Sequence, residues 1–368
     1  MTAITPQTSI PKQGMDRRTF LQQSSALTAA MVMPTFPSKA KRRSRKMGVS
    51  VASYAIRWRS RDDSKTYPGF ANALELLEHC HHLGAGGVQV GVRNWTEDFA
   101  GKIRDKREAL DLYLEGQISL PKTEQEADSF ETEVKRAKEA GAKILRTVCL
   151  SGRRYESFPT LESFQSFKRS SIQSLEWTET IMARHHMKLA VENHKDWRVP
   201  ELLEILKHLD SEWIGVTLDT GNNISLLEDP MAVVEALAPY TMTTHFKDMA
   251  FEEYEEGFLL SEVPLGQGVL DLNRVIDLCL EANPEVTFNL EMITRDPLKI
   301  PCLKDSYWET FEDLPGQDLA HTLKAVRQFD SPHAMPDVSN KSSDEKLAFE
   351  EQNVKKSFQF AQESLGLK

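Results

Sequence analysis

The chain is 368 residues long, 40% hydrophobic and 27% charged, a globular composition that excludes a disordered, collagen-like or coiled-coil protein. Its formal net charge of −10 is unevenly placed, because residues 1–46 hold nine Lys or Arg against Asp16 alone, leaving −18 on residues 47–368. So acidic a body repels phosphate backbones and argues against nucleic acid as a partner. Four cysteines (Cys80, Cys149, Cys279, Cys302) without CxxC spacing argue against a thiolate metal site or a disulfide framework.

Near the start, Arg17-Arg18 precede Phe20-Leu21 and a weakly apolar stretch from Ala26 to Met33, a pattern that resembles a twin-arginine export signal. Residues 1–46 are therefore read as a signal with a basic linker, and the protein is expected to be exported to the periplasm; a disordered basic tail on a cytoplasmic protein is the alternative. The apolar stretch falls short of the roughly 20 residues of a membrane span, so no membrane anchoring is expected.

From Met47 onward, short apolar runs alternate with amphipathic ones. Strands are predicted over 48–55, 87–92, 112–118, 142–150, 188–194, 213–219, 241–247 and 285–292. Helices are predicted over 70–83, 95–110, 124–140, 161–185, 200–209, 230–237, 270–282 and 317–329, with Gly84, Gly141 and Asn283-Pro284 as stop signals. Apolar strands alternating with helices imply a parallel sheet covered on both faces. Eight units over residues 47–330 fit a closed (β/α)8 TIM barrel, whereas an open nucleotide-binding sheet needs a GxGxxG after its first strand, where this chain has Tyr54-Ala55-Ile56-Arg57. Residues 331–368 form a separate extension with a charged helix over 345–363, expected to cover the barrel or contact another copy in a homo-oligomer.

The chemistry gathers where the last four predicted strands end. Glu192, Asp219, His245 and Glu291 each close an apolar run, and they are spaced 27, 26 and 46 residues apart. The first two gaps match one βα unit of roughly 30 residues, and an acidic loop over 251–268 stretches the third. Each side chain is thus expected at the C-terminal mouth of the barrel, facing its axis. Three carboxylates crowded beside an imidazole repel one another unless a cation lies between them. One divalent ion leaves a single net negative charge, and mixed oxygen and nitrogen donors suit Mn2+, Mg2+, Co2+ or Zn2+.

With these residues in place, the chain resembles the xylose isomerase-like TIM barrels, the sugar phosphate isomerase/epimerase superfamily. The likeness spans about residues 47–330 and is carried by Val191-Glu192-Asn193-His194, Leu218-Asp219-Thr220-Gly221, His245-Phe246-Lys247-Asp248 and Gly266-Gln267-Gly268. The resemblance implies that Glu192, Asp219, His245 and Glu291 bind a catalytic metal. Two positions depart from ketose 3-epimerases: Asn222 stands where a histidine is usual, and Gln89 where the second strand often carries an acid.

A metal there would polarise a carbonyl beside a hydroxyl of a small sugar or keto-sugar and favour an enediolate on proton loss, with Glu192 and Glu291 placed to move the proton. The leading expectation is a metal-dependent sugar isomerase or epimerase. The alternatives are a lyase or dehydratase acting on a keto-sugar or 3-keto-glycoside, and a non-catalytic periplasmic sugar-binding protein. His194, Asn222, Lys247 and Arg295 are candidate substrate contacts, with a salt bridge to Asp248 as the structural alternative for Lys247. Arg146, Gln117, Trp58 and Trp197 carry less weight, the two tryptophans as platforms for a sugar ring. His79, His81, His82 and His185-His186 are read as structural.

Overall fold

The computed structural model describes residues 45–60, 64–331 and 333–367, so the twin-arginine pattern lies outside the described residues. All eight apolar runs form barrel strands: β1 (Gly48–Ser50), β2 (Gly87–Gly91), β3 (Tyr113–Gln117), β4 (Ile144–Thr147), β5 (Lys188–Glu192), β6 (Ile214–Asp219), β7 (Thr241–Phe246) and, after two further strands, β10 (Thr287–Leu290). Neighbours pair in parallel around a closed barrel, and β10 closes it onto β1 with Gly48 opposite Asn289. All six residues of β6 are buried, which is why the run reads as continuously apolar rather than alternating.

Helices start and stop on local chemistry. Asn72 accepts the Leu74 N–H to open the helix Ala73–Leu83, and Gly84 closes it at φ +88°. Thr96 does the same for Glu97–Ala109, and a Thr160–Ser163 capping box opens Leu161–His185.

Two expectations need correction. The first strand stops at Ser50, whose hydroxyl accepts the Ala52 N–H and turns the chain into a 3-10 turn (Val51–Tyr54) and a short helix (Ala55–Arg59). The acidic segment after β7 is not a loop. It forms a hairpin of β8 (Asp248–Tyr254) and β9 (Gly257–Val263), joined by β11 (Leu298–Ile300) in an antiparallel three-stranded sheet. Its acids crowd the turn and the exposed edge, while Phe251 and Phe258 meet edge to face at 6.1 Å underneath.

The C-terminal extension folds as a helix, Ser343–Phe360, lying against the turn that follows β1. There Glu350 accepts the N–H groups of Ile56 (2.7 Å) and Arg57 (3.0 Å), and Glu351 pairs with the Arg57 guanidinium at 3.2 Å. Among the described residues no helix is long and apolar enough to cross a membrane.

Candidate metal centre

Parallel register brings the strand ends level. Asp219 lies opposite His245, Leu290 lies opposite Phe246, and Glu192 ends β5 beside them. One donor atom from each of Glu192, Asp219, His245 and Glu291 therefore falls within 4.8 Å of the others, and all four residues are buried. His245 Nδ1 is 3.2 Å from Glu192 Oε2, 3.1 Å from Glu291 Oε1 and 4.0 Å from Asp219 Oδ2.

The arrangement fits a cation for a reason beyond proximity. His245 Nε2 meets Gln89 Oε1 at 2.6 Å, an acceptor that makes that nitrogen the donor and leaves Nδ1 facing the cluster. Buried atoms normally find hydrogen-bond partners, yet His245 Nδ1 and Asp219 Oδ2 have none of good geometry. The second Asp219 oxygen accepts the Gly221 and Asn222 N–H groups at 2.9 and 2.8 Å, aiming Oδ2 inward. Burial pulls the imidazole toward neutrality, but Glu291 and Glu192 outweigh it and raise His245 to about 9. Burial likewise raises Asp219 to about 6, with Lys247 as the main opposing influence. Such carboxylates attract a proton or a cation, and a divalent ion displaces the proton.

Gln89, which replaces the acid expected on the second strand, thus holds the imidazole. Its own amide nitrogen donates to Glu115 at 3.0 Å, and Gln117 donates to its oxygen at 2.9 Å. Glu115 is the hub beneath the centre, accepting from Thr243, Thr287 and Asn289 as well.

The other predicted residues sort clearly. Lys247 reaches Asp219 Oδ2 (2.7 Å) and Glu291 Oε2 (2.5 Å) rather than Asp248. Asp248 instead accepts backbone N–H groups of Gly266, Gly268 and Leu270, so the Gly-Gln-Gly turn wraps a carboxylate and is not free to approach substrate. Asn222 donates to Glu192 Oε1 at 2.9 Å and holds that carboxylate in place. Arg146 pairs with Glu192; burial pushes that carboxyl up, but Arg146 and His245 overcome it and hold it well below the usual range. His194 is half-buried with Nδ1 unpartnered, and burial lowers it to about 3, which keeps it a neutral imidazole. Arg295 is engaged by Glu262 on β9, 3.1 Å from its Nε.

Trp58 lines a cleft of about 610 Å3 at the mouth together with Gln117 and Arg295. Trp197 does not: it is fully buried, stacked on Phe167 at 5.1 Å, and offers no sugar platform. His79 packs structurally, bonding the Tyr54 hydroxyl at 2.9 Å, and His185 meets Glu131 at 2.7 Å.

Sequence reasoning missed Glu115, Lys195 and Glu262. An acid inside the apolar run Tyr-Leu-Glu-Gly-Gln was a usable signal for Glu115. Lys195 sits one residue past the Glu-Asn-His motif. Glu262 was hidden in the segment taken for a loop.

Comparison with known proteins bears on the fold and the family. A 3-oxo-isoapionate decarboxylase of Pectobacterium atrosepticum is 26% identical over 235 residues, which cover 62% of this chain and 79% of that protein. A crystal structure of D-psicose 3-epimerase determined with D-fructose superposes with a TM-score of 0.55 at 12% identity, covering 87% of this chain and 99% of that one. The IOLI protein, solved with a zinc atom, superposes with a TM-score of 0.50 at 16% identity, covering 77% and 96%. These two likenesses establish the fold. The profile of the xylose isomerase-like TIM barrel family matches residues 116–305, more than half of the sequence and the stretch that holds all four clustered residues, so this chain belongs to that family.

Proposed function

We propose that the protein is a divalent-metal-dependent enzyme that carries a small keto-sugar through an enediolate, acting as an isomerase or epimerase. One observation carries this reading: four donor atoms within 4.8 Å of one another, on four buried residues at adjacent strand ends. The ion, Mn2+, Mg2+, Co2+ or Zn2+, supplies Lewis acidity for the carbonyl and for the negative charge that follows proton loss.

The protein's own groups supply the rest. Glu192 and Glu291 both approach His245 Nδ1, at 3.2 and 3.1 Å, so a substrate at the centre has two carboxylates at hand to take and return a proton. Return to the opposite face gives the epimer, and return to the neighbouring carbon gives the isomer. Burial opposes ionisation of Glu291, but His245 and Lys247 keep it a carboxylate and therefore able to accept a proton. His194, neutral and with a free nitrogen, is suited to hydrogen-bond a substrate hydroxyl.

A second reading, a lyase on the same platform, is favoured by a specific feature. Arg146 sits on Glu192 and Lys247 on Glu291, and cations that stabilise carboxylates weaken them as bases. Bond cleavage that leaves an enolate depends more on stabilising negative charge than on a strong base, and the relative that is a decarboxylase supports this reading.

The experiment follows metal-loaded protein with a panel of keto-sugars in D2O by NMR. Deuterium incorporation with a new isomer or epimer is expected. Release of CO2, water or an aglycone selects the lyase, and binding without exchange or product overturns both enzymatic readings in favour of a sugar-binding protein.

A further inference from the structure

Lys195 stands three residues beyond Glu192, is 4% exposed, and has no part in the chemistry above. Its ammonium donates to Asn222 Oδ1, and Asn222 in turn donates to Glu192 Oε1, so Lys195 Nζ lies one side chain from the donor cluster. The other buried cations near the mouth have carboxylate partners: Arg146 has Glu192, Lys247 has Asp219 and Glu291, Arg295 has Glu262, and Arg154 has Glu201. Among the described residues Lys195 has no carboxylate within 4.0 Å.

A buried ammonium without a counter-ion is costly, and proteins retain one mainly where something else supplies the charge. Burial and the neighbouring charges of Lys247 and Arg295 pull Lys195 down to about 8, against the opposing pull of the more distant carboxylates Glu262 and Asp219.

The cleft at the mouth makes a second, separate case. Among the described residues its lining holds Arg59, Arg295 and Lys346 and no carboxylate, on a body that is otherwise strongly acidic. Arg295 lines the cleft and is among the charges acting on Lys195, although its own charge is matched by Glu262, so Arg59 and Lys346 carry the net positive field there. Such a local reversal of field draws in an anion. One ammonium matches a singly charged carboxylate better than a phosphate dianion.

We infer that the substrate carries a carboxylate held by Lys195, which makes it a sugar-derived keto or hydroxy acid rather than a neutral ketose. This rests on the metal-centred reading of the cluster and narrows its substrate class. A carboxylated keto-sugar is what a sugar or aldonic-acid oxidation produces, so an oxidoreductase is the class of reaction that supplies it.

The test is calorimetric, on full-length protein titrated first with Mn2+ and then with matched ligands. Hydroxypyruvate and dihydroxyacetone share an α-hydroxyketone and differ by a carboxylate; threonate and threitol differ in the same way. The carboxylate member of a pair is expected to bind about 10–100-fold tighter to the native protein. Lys195→Met and Lys195→Gln abolish that preference, and Lys195→Arg restores it. Equal binding of both members to the native protein, or a preference that survives both neutral variants, overturns the inference. Dihydroxyacetone phosphate binding more tightly than hydroxypyruvate overturns it in favour of a phosphorylated substrate. The Mn2+ titration is read separately: failure to take up the ion counts against the metal-centred reading itself, whereas uptake without carboxylate preference counts only against Lys195.

Discussion

Replacing Gln89 by leucine tests how the centre is held. The Gln89 side chain oxygen sits 2.6 Å from His245 Nε2, and its nitrogen donates to Glu115 at 3.0 Å. Leucine preserves bulk and removes both contacts. Losing the group that orients a ligating imidazole lowers metal affinity by about 10–100-fold. At about 1.4 kcal/mol per tenfold this amounts to roughly 1.4–2.8 kcal/mol. The fold also weakens, since a buried group left without its partner costs about 1–3 kcal/mol. Gln117 keeps the Ser50 hydroxyl as acceptor at 3.3 Å, and Glu115 keeps Thr243, Thr287 and Asn289, so the lower half of that range is expected. Competition with a chromogenic chelator reads metal affinity, and urea unfolding reads stability. Gln117→Ala serves as the control, because it removes a donor to the same Gln89 oxygen without touching His245 and leaves metal affinity close to native. A folded Gln89→Leu protein that binds metal as tightly as the native one refutes the assignment of Gln89 as the group that sets the imidazole.

Glu291→Gln is expected to abolish turnover and exchange while preserving the fold, and wild-type activity in that variant removes Glu291 from the mechanism. Glu350 titrates at about 7 against an ordinary 4.5, because burial outweighs the two backbone N–H groups it accepts. The folded protein therefore holds a proton that the unfolded chain releases near 4.5, so this stability is complete below that pH and is lost as pH rises through about 7. Native stability should fall between pH 5 and 8 by up to about 3 kcal/mol more than that of Glu350→Gln, and parallel urea-unfolding profiles for the two would dispose of the effect. Trp197→Ala, emptying a buried site stacked on Phe167, should cost about 3–5 kcal/mol, a figure checked by the same unfolding assay; a near-neutral change contradicts the packing argument. Replacing Arg17 and Arg18 together by lysine is expected to leave the full-length chain in the cytoplasmic fraction, and undiminished export of that variant removes the proposed signal.

Much of the architecture was legible along the chain. Apolar runs of strand length alternating with helix-period segments are local patterns, and they placed all eight barrel strands to within a few residues. The error at the first strand arose where one hydroxyl, that of Ser50, turned an apolar run into a helical turn. The hairpin of β8 and β9 escaped notice because Glu252, Glu253, Glu255 and Glu256 dominate its composition, while its apolar face shows only once Phe251 and Phe258 are paired across it. Within the centre, the four donors were readable because each ends an apolar run, and a parallel barrel brings such ends to one rim.

Which donors stand together was therefore determined by sequence alone, since strand length and alternation specify on which rim a residue emerges. Which groups answer them was decided only by closure of the barrel. Gln89 meets His245 across 156 residues, Lys247 turns from its neighbour Asp248 to Glu291 44 residues away, and Glu350 reaches Ile56 across 294. Periodicity reports on neighbours two to four positions apart, whereas these pairings depend on how strands from distant parts of the chain register around the ring. The setting of Lys195, whose ammonium meets an amide rather than a carboxylate, belongs to the same class of fact, because only the closed barrel brings Asn222 to it.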